Sequence, residues 1–137
     1  MSESAVGERV ALTLPGERRS IGIVRLFVGG LAARLGLGYE TMDDLQLALE
    51  SVLLKAELRP EITLEATIGE DAVSLTVGPL SRDPLQPDAA GPNELDLGHL
   101  LSALVARTES TTRDDGCWLR LDVLVPAGSG TRVSQSS

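Results

Sequence analysis

The chain has 137 residues, 42% of them hydrophobic, a formal net charge of −8, and one each of Phe, Tyr, Trp, His and Cys. That length suits one domain with one core, which Leu, Val and Ala must build because aromatic residues are so few. The acidic balance argues against direct nucleic-acid contact, which favours basic patches, and no apolar run approaches the roughly 20 residues that a membrane span needs. The opening MSESAVGERV lacks a basic region followed by an apolar block, so no signal peptide is read. The lone Cys117 has no internal disulfide partner, in keeping with a reducing cytoplasm.

Residues 1–8 are expected to be a loose N-terminus. In RVALTLP, Val10, Leu12 and Leu14 alternate, which predicts a half-buried strand stopped by Pro15. Ile21, Val24, Val28, Leu31 and Leu35 then recur at helical spacing, with Ser20 as the expected N-cap and Gly36 as the C-cap. Gly29-Gly30 within this helix costs about 1 kcal/mol per residue against Ala, and close packing against a neighbouring helix is the expected reason. The next stretch, TMDDLQLALESVLLKAELRP, reads as a second helix capped by Thr41, with Asp44 three residues on, and ended by Arg59-Pro60.

Ile62, Leu64, Ala66 and Ile68, then Val73, Leu75 and Val77, predict two strands joined by a turn at 69–71. A Pro/Asp/Gly loop follows, ELDLGHLLSALVART reads as a third helix, and CWLRLDVLV as the last strand after an Asp114-Asp115-Gly116 turn. Trp118 alternates with the inward Leu119 set, and the sequence leaves open whether it fills a second layer or makes an exposed contact. PAGSGTRVSQSS is small, polar and aperiodic, so residues 127–137 are expected to be a disordered tail after a domain at 9–126. The fold class expected is α+β, a two-layer α/β sandwich with a mixed sheet and the helices on one face.

This order of elements resembles the bacterial anti-sigma factor serine kinases of the GHKL (histidine kinase/Hsp90-like) ATPase superfamily. DDLQLALESVLLKA is similar to the family's D-L-x-x-A-V-x-E-A-x-x-N-A helix. ITLEATIGEDAVSLTVG looks like the paired strands that follow, and HLLSALVARTE with the last strand looks like the closing elements. The resemblance implies binding of a sigma factor, of a STAS-type anti-anti-sigma protein, or of both, and a homodimer through the first strand and first helix. In members that bind ATP and magnesium it also implies phosphorylation of a serine on the anti-anti-sigma protein.

The ungapped fit puts Ser51 where the family has its glutamate and Lys55 where it has its asparagine. Mg²⁺ takes hard oxygen ligands, whereas Lys55 offers an ammonium. The family's D-x-G-x-G falls on VGPLSRDP, with Pro79 at the aspartate and Ser81 at the first glycine, and proline brings neither carboxylate nor N–H. Asp83 slipping into the aspartate's place is the alternative there. Glu50 shares one polar strip with Gln46 and Glu57 at about 100° per residue, so it reads as a solvent-facing residue, more exposed than Ser51, and not as a general base.

His99 has no second metal-ligating neighbour and reads as a helix-surface or cap residue. Ser20 and Ser51 lack a histidine to activate them, and Cys117 lacks a partner base. The resulting expectation is a cytoplasmic, anti-sigma-type regulator that acts through protein contacts, with no catalytic residue and no cofactor. Arg18, Arg19 and Arg25 are its candidate partner-binding residues, and Ser51, Lys55, Pro79 and Ser81 mark a vestigial pocket. The alternatives are an active ATP-dependent serine kinase in which Lys55 meets phosphate as a point charge, and an unrelated α+β interaction module.

Overall fold

The computed structural model describes residues 8–55, 58–81, 83–85 and 97–125. All but Glu8 of the loose terminus expected at 1–8, the tail at 127–137, most of the loop after residue 81, and Glu57 lie outside the described residues. Five strands and three helices alternate as β1 (Arg9–Pro15), α1 (Ser20–Leu35), α2 (Tyr39–Lys55), β2 (Leu58–Ile68), β3 (Ala72–Leu80), α3 (Leu97–Leu104), β4 (Arg107–Arg113) and β5 (Gly116–Leu124). The strands form one sheet in the order β1-β2-β3-β5-β4.

The sheet is antiparallel at every pairing, which corrects the expected mixed sheet. The reason lies in a strand that the sequence reading assigned partly to a helix. RTESTTR carries no apolar alternation, yet it forms β4 and pairs along its whole length with β5 across the Asp114-Asp115 turn. Strand β5 thereby slots between β3 and β4, so the two strands joined through α3 are not neighbours, and only β2–β3 and β4–β5 are hairpins.

One face of the sheet carries Leu14, Ile62, Leu64, Ala66, Val73, Leu75, Val77, Leu119, Leu121 and Val123, all buried. Against it lie Val24, Val28 and Leu31 of α1, Leu45, Ala48, Leu49 and Val52 of α2, and Leu97 and Leu101 of α3. The alternate residues of the same strands are polar, so the helices occupy a single face, as a two-layer α+β fold requires. Helix α2 lies at the centre of the helical layer: Leu45, Ala48, Leu49 and Val52 have no exposed surface, whereas its second apolar row shows Leu47 at 48% and Leu54 at 55%.

Local signals held unevenly. Gly36 ends α1 in the left-handed region (φ 70°) and returns its N–H to the Ala32 carbonyl. Ser20 is the first helical residue and not the cap: its hydroxyl donates to the Pro15 carbonyl at 2.7 Å, tying α1 to the end of β1. Helix α2 starts two residues before Thr41 and ends at Lys55, with Pro60 already inside β2. A Cβ placed on Gly29 or Gly30 would meet nothing within 4 Å, so close internal packing is not what these glycines serve.

Candidate functional site

The polar side chains in the middle of α2, Gln46, Glu50 and Ser51, are engaged internally. Arg25 of α1 reaches across to Glu50: its Nε and one terminal nitrogen both donate to the carboxylate, the latter at 3.0 Å. Gln46 donates to the Arg25 backbone carbonyl at 3.2 Å. The strip shared by Gln46 and Glu50 thus faces α1. Periodicity groups residues on a strip without saying what the strip meets, and this corrects the expectation of a solvent-facing Glu50, whose side chain is only 16% exposed. The hydrogen bonds from Arg25 and its charge hold the Glu50 carboxyl below the ordinary carboxylate range, against the opposing pull of burial.

Ser51, at the family's glutamate position, donates its hydroxyl to the Leu47 carbonyl of its own helix at 2.7 Å. Lys55 closes α2, and its side chain lies outside the described ones. Pro79 follows a cis peptide bond inside β3, and Ser81 is exposed just beyond that strand. Asp83 accepts from the Leu85 N–H at 2.9 Å and from the Ser110 hydroxyl at 3.0 Å, so each of its oxygens ties the post-β3 segment to itself or to β4. A hollow of about 300 Å³ is lined by Leu85, Gly98, His99 and Ser102.

The three candidate partner-binding arginines separate. Arg18 and Arg19 are exposed in the turn before α1, and Arg19 pairs with Glu17 at 3.1 Å. Arg25 is engaged with Glu50. Cys117 is buried, and burial followed by the Asp83 charge pushes its thiol upward, which disfavours the reactive thiolate. His99 is exposed on α3. Among the described residues no group of three His, Cys, Asp or Glu side chains is placed to hold a metal ion, and no helix is long and apolar enough to cross a membrane.

The open face of the sheet holds a feature that sequence reading left undecided. Trp118 is only 6% exposed there. Its ring lies over Gly78, where an added Cβ would come within 2.5 Å of it. The indole N–H donates to Asp115 at 2.8 Å, and the Arg113 guanidinium sits 4.2 Å from the ring centroid. Around it the register builds cross-strand rows. Ser74 and Arg120 both donate to Asp122, Arg120 lies 3.8 Å from Glu109, and Arg9 lies 3.9 Å from Glu65. Of these, Arg9, Glu65, Ser74, Glu109, Trp118 and Arg120 line a concavity of about 340 Å³, and Arg9 lies near Glu65 and Arg120 near Glu109. Alternation in the strands was the available signal for this face, but the lateral rows needed the register.

No protein-family model matches the chain. It is similar to serine-protein kinase RsbW of Listeria monocytogenes, 31% identical over 77 residues, covering 51% of this chain and 49% of that protein. The Bacillus velezensis protein of the same name is 28% identical over 75 residues, covering 50% and 47%. That of Halalkalibacterium halodurans is 38% identical over 42 residues, covering 31% and 26%. The chain thus spans about half the length of the curated relatives it matches. The chain is similar over about half of its length to proteins named serine-protein kinase RsbW, and its element order and single helical layer are consistent with that likeness.

Proposed function

We propose that the chain is an anti-sigma-type regulator that works in the cytoplasm through protein contacts, without nucleotide chemistry. Its partner is a sigma factor, a STAS-type anti-anti-sigma protein, or both, and it is itself a homodimer. The observation that carries this reading is the state of the α2 polar groups. The Ser51 hydroxyl is bonded within its own helix, and Glu50 is gripped by Arg25, so neither stands ready to take a proton from an attacking hydroxyl. Asp83, the alternative for the family's aspartate, already accepts one hydrogen bond on each oxygen, and Pro79 has no N–H to give. These described residues do not suit an ATP-magnesium site, and no reaction step is assigned to one.

Calorimetric titration with ATP and magnesium tests the reading directly: no measurable heat of binding is expected, while a purified sigma factor or STAS protein binds. Several contacts to charged groups are missing together, each worth roughly 1.5–3 kcal/mol, so a micromolar ATP dissociation constant would overturn it. The names of the relatives favour a second reading, an active serine kinase with a divergent pocket. That reading requires such ATP binding, and phosphate transfer to a serine of the STAS protein.

A further inference from the structure

We propose that the groove between the C-terminal half of α1 and the first turns of α2 docks an amphipathic helical segment of a partner protein that carries lysine or arginine beside its apolar stripe. This rests on the reading that the chain acts through protein contacts, and it names where one contact lies and what chemistry it takes. The groove has a volume of about 300 Å³ and is lined by Gly29, Ala33, Leu37, Tyr39 and Met42, among others. About one turn along the two helices from its lining residues Gly29 and Met42, α1 and α2 are tied by the Gln46 bond to the Arg25 carbonyl and by the Arg25–Glu50 pair. Tyr39, another lining residue, is 83% exposed. Leu26, next to Arg25 in sequence, is 76% exposed, and Leu47, three residues before Glu50, is 48% exposed. Large apolar side chains standing free around an apolar groove mark an interaction surface more often than isolated ones do.

Two further features choose the occupant. The groove wall on α1 is bare: a Cβ on Gly29 would meet nothing within 4 Å, so the fold itself does not require glycine there. A helix laid along that wall approaches the α1 backbone closely, as helix-in-groove recognition does. The rim is acidic. Glu40 and Asp43 are exposed at the start of α2 and make no ion pair among the described residues, whereas the basic neighbours Arg25 and Arg34 are paired with Glu50 and Glu8. Uncompensated carboxylates beside an apolar groove attract a helix flanked by cations and repel one flanked by anions.

The test titrates the isotopically labelled full chain with two synthetic helical peptides of about four turns. Both share a leucine stripe, one flanked by lysines and the other by glutamates, and amide spectra report where each binds. The lysine peptide should shift amides within residues 26–42 and bind at least about tenfold more tightly than the glutamate peptide. The Cβ of Gly29→Leu would meet nothing within 4 Å and its side chain would enter the groove, so the variant should not lower the melting temperature and should lose about tenfold or more in peptide affinity. Shifts centred elsewhere, equal affinity for the two peptides, or an unaffected Gly29→Leu would overturn the proposal. Groove amides that shift on concentrating the protein alone would also overturn it, by assigning the face to a second copy of the chain. A sigma or STAS partner that binds Gly29→Leu as tightly as wild type sinks the groove and leaves the regulatory reading intact. If no such partner binds wild type at all, the regulatory reading fails, and the peptide spectra still decide the groove.

Discussion

The two faces of the sheet are made by the same strands and differ in almost every physical respect. On the helical face, Leu64, Leu75, Val77, Leu119 and Leu121 have no exposed surface. On the open face their sequence neighbours Glu65, Ser74, Arg120 and Asp122 form rows of hydrogen bonds and ion pairs, with Trp118 buried among them. The first face is held by burial, which contributes roughly 25 cal/mol per Å² of apolar surface and has no direction. The second is held by geometry, since each exposed ion pair is worth only about 0–1 kcal/mol. The helical face should therefore decide whether the chain folds, and the open face how its surface is ordered.

The largest effect should come from the helical face. Leu75→Ala removes a fully buried side chain from the sheet centre and should cost about 2–5 kcal/mol, read as a fall in the urea midpoint with little change in slope. A loss near that of a surface substitution would mean that the two layers are less tightly packed than the burial indicates.

Gly78→Val probes the one place on the open face where packing is tight. The new Cβ collides with the Trp118 ring, and overpacking of this kind costs roughly 1–3 kcal/mol. Trp118 is the single tryptophan, so its displacement should red-shift the emission. An unshifted spectrum would show that the indole does not depend on the bare glycine.

Asp122 sharpens the comparison through pH. Burial raises its carboxyl pKa, but hydrogen bonds from Arg120 and Ser74 and the charges of Arg120 and Arg107 outweigh burial and leave it below the ordinary range. A carboxyl whose folded pKa is depressed stabilises the fold above its unfolded value, near 4, and that contribution is lost as pH falls through the folded value. The stability gap between wild type and Asp122→Asn should therefore be largest near neutral pH and shrink in acid. A gap that does not change with pH would remove the carboxylate's charge from the account.

The smallest stability effect should belong to Arg18 and Arg19, exposed on the turn before α1. Reversing both to Glu should change stability by under about 0.5 kcal/mol while slowing association with an acidic partner surface and flattening its salt dependence. Stopped-flow rates at two salt concentrations decide this. Unchanged rates would take these arginines out of the partner surface, and unfolding of the variant would show that they are structural.

Much of the architecture was legible because it rests on local chemistry. Alternation named the inward residues of β2, β3 and β5, the 3.6-residue period named the buried Val24, Val28 and Leu31 of α1, and Gly36 marked the end of that helix. Strand β4 was not legible. RTESTTR has no apolar alternation, and as an edge strand it becomes one only by pairing with β5. The family's motif positions could be located by counting along the chain, and the substituted residues at Ser51 and Pro79 were visible at once. What those positions do instead was not visible. The Ser51–Leu47 bond lies within one helix, but the Glu50–Arg25 clamp joins residues 25 positions apart, and Asp83 meets Ser110 across 27. By itself the sequence determined which residues are apolar and at what period, because burial and helix geometry act on neighbours along the chain. The tertiary structure alone decided which polar groups find each other, which face stays open, and which glycines stand bare, because those depend on what the rest of the chain brings alongside.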